Sequence, residues 1–204
     1  AKAWPAGRDK KLSPIHDRVI AQGGVMGAYN GWERANWYAQ DGDDTSLEAT
    51  ETWGRAGPWE PRIKEEAEAV RDAAGILDLP GFSRYRLQGP GAAQFLRDNC
   101  TGGICKVGRI GLIYFADDRG RIQTEMSAMR LDEDFFFLIT AATAQWHDFE
   151  VLRDRMPADA EFTLTDVTQE FSCQILTGPK SRDVLAACSD AELTQGWLTH
   201  QSAQ

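Results

Sequence analysis

The stretch FSRYRLQGPGAAQFL at 82–96 decides the fold, because its pattern returns as FSCQILTGPKSRDVL at 171–185. The offset is 89 residues, and six of the fifteen positions are identical. Each copy combines a short apolar strand, a Gly-Pro turn and an amphipathic helix start, since glycine permits the turn and proline suits the first helical turn. The repeat therefore predicts a duplicated strand-turn-helix unit.

The segment after the first copy predicts an antiparallel sheet. Short apolar or alternating runs indicate strands at 110–115, 122–131 and 135–140, with a turn at 117–121 and a helix at 141–156. Only 19 residues follow the second copy. We therefore expect an α+β fold of duplicated strand-turn-helix and antiparallel-sheet units that is incomplete at the C-terminus.

The repeat also suggests a division of the chain into three segments. Residues 1–59 contain five of the seven tryptophans and few periodic runs, so we expect an arm that packs on the domain. Residues 60–160 are the expected first repeat unit, and residues 161–204 are the start of a truncated second unit. Within the arm, residues 40–52 are polar and predict an exposed loop.

A helix is predicted in the segment 61–79. Pro61 suits an N-terminal helical position, and Ile63, Ala67 and Val70 form an apolar stripe that continues to Ala74. Gly75 would end this helix. The acidic residues near its start are expected to face solvent.

Composition excludes several classes of function. The net charge of -9 argues against a general nucleic-acid surface, and no apolar run reaches the roughly 20 residues that span a bilayer. The four cysteines lack CxxC spacing, which indicates reduced thiols. The start of the chain does not have the pattern of a secretory signal. We expect a protein of the cytoplasm, or of the mitochondrial matrix in a eukaryote, with no membrane and no nucleic-acid partner.

The usual catalytic motifs are missing from the sequence. Its three histidines, His16, His147 and His200, have no second ligand at metal-binding spacing, so no metal is expected and each is interpreted as structural. The glycines at 22–28 do not follow the GxGxxG order. Chemistry on a small molecule would therefore depend on carboxylates, hydroxyls and backbone groups.

The hairpin DDRGRIQTEMSAMRL at 117–131 could supply such groups. Because side chains alternate along a strand, Gln123, Glu125 and Ser127 share one face. A carboxylate there could hold a protonated amine or orient a nitrogen heterocycle. Alternatively, these residues form the solvent face of a half-exposed sheet.

Five motifs in order resemble those of the aminomethyltransferase family, the glycine cleavage T-protein family. They are GWERANWYA at 31–39, EEAEAVRDAAGILDL at 65–79, LQGPGAAQFL at 87–96, DDRGRIQTEMSAMRL at 117–131 and LTGPKSRDVL at 176–185. The first motif, and WLTHQSAQ at the end, are most similar to the version fused to dimethylglycine and sarcosine dehydrogenases.

The resemblance implies a tetrahydrofolate-binding domain for one-carbon transfer. In the fused enzymes an upstream flavin domain, which carries FAD outside this chain, oxidises an N-methyl group of an amine. The folate domain captures the resulting one-carbon unit as 5,10-methylenetetrahydrofolate. Two alternatives stay open: a stand-alone folate-dependent aminomethyltransferase or demethylase, and a non-catalytic folate-binding or structural module of the same fold.

The resemblance also implies site residues. The catalytic aspartate of the family falls on Glu125, whose extra methylene would move the carboxylate by more than about one ångström. The implied folate-binding residues are Ser127, which keeps a hydroxyl, Thr140, which stands at a family asparagine, and Tyr114, a displaced counterpart of a family tyrosine. A glutamate and an arginine of the family pocket are expected beyond Gln204.

Overall fold

The computed structural model describes residues 5–51, 56–191 and 193. Its helices are α1 His16–Ala21, α2 Leu47–Thr50, α3 Trp59–Asp72, α4 Ala92–Asn99, α5 Gln145–Arg153 and α6 Ser181–Ala186. Its strands are β1 Gly24–Tyr29, β2 Trp32–Tyr38, β3 Gly75–Asp78, β4 Phe82–Gln88, β5 Arg109–Ala116, β6 Ile122–Asp132, β7 Phe135–Ala141, β8 Thr163–Asp166 and β9 Gln174–Thr177.

These elements form two compact units. One comprises the chain up to Gly81 together with the segment from Ser172 to Leu193, and the other contains Phe82–Phe171. The two units are defined by contacts within the fold. The predicted segments 1–59, 60–160 and 161–204 are defined by the sequence repeat. The repeat-based division therefore stays a prediction.

The unit Phe82–Phe171 is built on a five-stranded antiparallel sheet with the order β5-β6-β7-β4-β8. Helices α4 and α5 contribute to the core on one face of this sheet. The fully buried side chains include Tyr85, Leu87, Leu96, Phe115, Phe136, Leu138 and Leu152. On β6 the burial alternates, with Thr124, Met126 and Ala128 buried. The alternation predicted for this strand is confirmed.

Both copies of the repeat form a strand, a turn and a helix. The first copy gives β4 and α4, and the second gives β9 and α6. The turn glycines Gly89 and Gly178 have φ angles of 124° and 108°, a region that favours glycine. The packing of the copies differs, because β4 is the largely buried strand between β7 and β8. Strand β9 instead pairs with β3, and α6 has no buried residue.

The other unit contains the antiparallel hairpin β1–β2. Trp32 and Trp37 on β2 are buried, as is Val19 of α1. Glu33, between the two tryptophans in sequence, is 1% exposed and accepts hydrogen bonds from the Arg8 guanidinium at 2.7 Å. This charge-assisted pair ties the first described residues to the hairpin. Trp4 and Trp53 lie outside the described residues.

Three elements of the structure differ in detail from those predicted from the sequence. Helix α3 includes Pro61 in its first turn, but it ends at Asp72, so Ala74 lies outside it. Its apolar stripe is not fully buried, since Ile63 is 43% exposed. The predicted loop at 40–52 contains the short helix α2, which the Ser46 hydroxyl caps by accepting a hydrogen bond. The helix expected at 141–156 consists of a 3-10 turn, Ala142–Ala144, followed by α5.

Candidate functional site

A cavity of about 450 Å³ lies in the unit Phe82–Phe171, where β6 and β7 meet the start of α5. Its volume is within the range of about 300–1,000 Å³ that is common for small-molecule sites. The polar lining consists of Gln123, Thr124, Glu125, Ser127, Thr140, His147 and Asp148. Three of the four residues implied by the family resemblance, Glu125, Ser127 and Thr140, therefore line one cavity.

Glu125 and Ser127 reach the cavity from the outer face of β6. Both follow the alternation of the strand, and their neighbours Thr124 and Met126 are buried. Ser127 is flanked across the sheet by Leu112 on β5 and by Ile139 on β7. The arrangement presents one exposed carboxylate and one hydroxyl beside two apolar side chains.

Gln123 lies at the edge of the same face and is held by a cation. Arg155 donates a hydrogen bond of 2.6 Å to the side-chain oxygen of Gln123 and another of 2.8 Å to the Ala116 carbonyl. The Arg155 guanidinium also lies over the Phe115 ring at 5.4 Å. These contacts fix the start of β6 relative to the chain after α5.

Thr140 has a different environment from Glu125. Its side chain is 6% exposed, and its hydroxyl donates a hydrogen bond to Oδ2 of Asp148. The same hydroxyl oxygen lies 3.4 Å from the backbone carbonyl of Glu125. Thr140 therefore connects β6, β7 and α5, and its donor is already used within the protein.

Sequence reasoning missed two residues of the cavity, His147 and Asp148. Asp148 is 2% exposed, and its Oδ1 lies 3.0 Å from Nδ1 of His147. The His147 side chain is 59% exposed and lines the cavity. The sequence, from which His147 is interpreted as structural, gives no indication of this placement. The only signal in the sequence is that His147 and Asp148 are adjacent at the start of a helix. Adjacency does not reveal which groups the two side chains face.

The start of α5 is anchored by buried groups. The Tyr85 phenol on β4 donates a hydrogen bond to the Gln145 carbonyl, and the Gln145 amide donates one of 2.7 Å to Asp166 on β8. Burial, reinforced by the nearby Asp148 and Asp166 carboxylates, raises the pKa of Tyr85, so this phenol stays a neutral donor. These bonds hold His147 and Asp148 against the sheet.

Tyr114 is not brought into the described cavity. It lies opposite Glu125 in the β5–β6 register, but it is not among the residues that line the cavity. Its backbone carbonyl accepts a hydrogen bond of 2.8 Å from the Thr101 amide. A folate contact by Tyr114 stays a prediction.

The ionisable side chains that line the cavity are acidic, apart from one histidine. Its lining includes the carboxylates of Glu125 and Asp148 and the imidazole of His147, and the described lining contains no lysine or arginine. Such a lining suits a ligand with N–H donors or a cationic nitrogen.

Comparison with known proteins defines the family. The model of the GCVT N-terminal domain matches residues 15–204. The chain belongs to this family. A crystal structure of glycine cleavage system aminomethyltransferase T from Bartonella henselae matches with a TM-score of 0.68 and 23% identity, over 87% of this chain and 43% of that one. This likeness confirms the predicted α+β fold with antiparallel sheets.

Similar curated proteins carry the domain within much longer chains. The chain is 30% identical over 195 residues to 4-methylaminobutanoate oxidase (formaldehyde-forming) of Paenarthrobacter nicotinovorans, covering 93% of this chain and 23% of that protein. It is 25% identical over 191 residues to the mitochondrial dimethylglycine dehydrogenase of Rattus norvegicus, with coverages of 93% and 22%. It is 27% identical over 197 residues to the mitochondrial pyruvate dehydrogenase phosphatase regulatory subunit of Mus musculus, with coverages of 94% and 22%. The chain thus spans less than a quarter of these relatives.

The GCVT domain in this chain is therefore an aminomethyltransferase-type domain related to dehydrogenases that contain the same module. Among the described helices, none combines the length and the apolar composition needed to cross a membrane. The cysteines Cys100, Cys105, Cys173 and Cys188 are free thiols.

Proposed function

We propose that this chain is the tetrahydrofolate-dependent one-carbon transfer domain of a flavin-dependent enzyme similar to dimethylglycine or sarcosine dehydrogenase. It would capture the oxidised N-methyl carbon of an amine as 5,10-methylenetetrahydrofolate. The observation that carries this proposal is the placement of Glu125 and Ser127 side by side on β6 in the cavity beside α5. FAD would be held by a separate domain upstream of this chain.

The names of the relatives support an N-methylated amine as the donor and a one-carbon unit as the group that is transferred. Their names refer to an oxidase of 4-methylaminobutanoate that forms formaldehyde and to a dehydrogenase of dimethylglycine. Both names denote N-methylated amines. Two of the relatives are named as mitochondrial proteins, which favours the matrix if this chain comes from a eukaryote and the cytoplasm otherwise.

The residues of the cavity fit a reduced folate ring. Bound tetrahydrofolate would supply the nitrogen nucleophiles for the one-carbon unit. The exposed Glu125 carboxylate accepts hydrogen bonds from ring N–H groups and can take up a proton. Leu112 and Ile139 offer apolar surface to the flat ring, and Ser127 can donate a hydrogen bond to a ring nitrogen or oxygen.

A direct test uses the full-length protein and the variant Glu125→Gln, which keeps the size of the side chain but removes its charge. Calorimetry measures the Kd of tetrahydrofolate, and a product assay measures the rate of methylenetetrahydrofolate formation from formaldehyde above that of the protein-free mixture. We expect a Kd within about tenfold and a rate lowered by about 100-fold, the lower range for loss of a general acid or base. The exposed Glu161, which does not line the cavity, provides the control Glu161→Gln. Absence of folate binding and turnover in the unmodified protein would refute the proposal.

The second candidate is a regulatory module without turnover. It is favoured by the similarity to the pyruvate dehydrogenase phosphatase regulatory subunit and by glutamate in place of the family aspartate at 125. This alternative predicts no methylenetetrahydrofolate above the protein-free rate from formaldehyde or from a methylated amine, with the Glu125→Gln protein indistinguishable from the unmodified one.

A further inference from the structure

Three side chains form a hydrogen-bonded chain that ends in the cavity. The Thr140 hydroxyl donates to one oxygen of the buried Asp148, and the other oxygen lies 3.0 Å from Nδ1 of His147. With Asp148 ionised, its oxygens can only accept, so we assign Nδ1 of His147 as the donor of this hydrogen bond. The Nε2 atom of neutral His147 therefore carries a free lone pair.

We propose that His147 is a proton-transfer residue of this site, with Asp148 and Thr140 as its positioning residues. The inference rests on the proposed function and extends it, because Glu125 alone provides one acid-base group for a reaction that moves two protons. A buried carboxylate that fixes the tautomer of an exposed imidazole is a common arrangement for proton transfer in enzymes.

Two protons move from nitrogen to oxygen when formaldehyde is the one-carbon donor. In net terms two N–H bonds break, two C–N bonds form, and the carbonyl oxygen leaves as water with both protons. Glu125 and Nε2 of His147 can each accept a proton from a nitrogen and return it to the departing oxygen. When His147 becomes an imidazolium, the adjacent Asp148 carboxylate stabilises its positive charge.

The surroundings of His147 support the assignment. The titratable groups of the cavity are Glu125 from β6 and Asp148 from α5 itself. The strands β5 and β7 contribute Leu112, Ile139 and Thr140, which do not titrate.

The test compares His147→Gln with the unmodified full-length protein. We expect the Kd of tetrahydrofolate to change by less than about threefold, while the rate of methylenetetrahydrofolate formation falls by about 100-fold. We also expect the shape of the pH–rate profile to change, because a proton-transfer group has been removed, and added imidazole to restore part of the rate. A role confined to folding would produce neither of the last two effects.

Trp146 provides a matched control on the same helix, because it is 69% exposed and does not line the cavity. Trp146→Leu should keep the rate and the pH profile. The inference is overturned, and the proposed function kept, if His147→Gln retains the unmodified rate and pH profile while Glu125→Gln loses activity. Absence of turnover in the unmodified protein would overturn both.

Discussion

Gly89 and Gly178 adopt left-handed φ angles at the same position of the two repeat copies, and each is closely approached by backbone. A Cβ atom on Gly89 would lie 2.8 Å from the Glu161 carbonyl oxygen, and one on Gly178 would lie 2.6 Å from the Ala73 carbonyl oxygen. Glycine is therefore required at this position in both copies, by its φ angle and by the space available. In each copy, the glycine allows the turn to lie against the backbone of a neighbouring segment.

We predict that Gly89→Ala lowers the free energy of unfolding by more than about 1 kcal/mol, because it adds a backbone clash to the cost of a positive φ. Gly178→Ala should have a similar effect for the same reasons. Urea denaturation would measure both changes. Gly120→Ala is the matched control, since Gly120 has a φ of 76° with no atom within 4 Å of the added Cβ. Equal losses in all three variants would contradict the role of the close approach.

The Arg8–Glu33 pair should make stability depend on pH. The Arg8 hydrogen bond lowers the pKa of Glu33 from its ordinary value of 4.5. Stability from this ionised carboxylate is therefore fully present above about pH 4.5 and is lost as the pH falls through the lower folded pKa. We expect Glu33→Gln to reduce the free energy of unfolding by about 1.5–3 kcal/mol at pH 7.

The measurement is denaturant unfolding of both proteins between pH 7 and the acid range. The difference between them should narrow at low pH, because protonated Glu33 then resembles the amide. Glu48→Gln, at an exposed position, should leave unfolding at pH 7 nearly unchanged. A difference that widens on acidification would show that the Glu33 charge does not stabilise the fold.

Core packing of the sheet can be tested at Leu138, which is fully buried on β7. Leu138→Ala should cost about 2–5 kcal/mol through lost burial and the cavity left behind. Ile122→Ala, at a residue that is 64% exposed, removes apolar atoms from a strand of the same sheet and should cost much less. A similar decrease in Tm in the two variants would argue against the burial of Leu138 in the core of this sheet.

The Thr140 hydroxyl should stabilise the fold as well as orient Asp148. Thr140→Val keeps the shape but leaves an oxygen of the buried Asp148 without its donor, at a cost of about 1–3 kcal/mol in unfolding free energy. Thr140→Ser retains the hydroxyl and serves as the control. A valine variant as stable as the serine variant would remove the energetic argument for this hydrogen bond.

Much of the candidate site is predictable from local sequence. The alternation of β6 determines that Glu125 and Ser127 share the outer face, because successive side chains of a strand point to opposite sides. Tyr114 shows the limit of this reasoning. It is paired with Glu125 in the strand register, yet it does not line the cavity, whereas Leu112, two residues earlier on β5, does.

By itself, the sequence determined the repeated strand-turn-helix unit and the polar face of β6, because dihedral preferences and side-chain periodicity act over a few residues. Tertiary structure alone decided that β9 pairs with β3 and that Asp148 joins His147 to Thr140. Those contacts depend on how separate elements approach one another, and burial of apolar surface, which drives that approach, does not specify partners from local sequence.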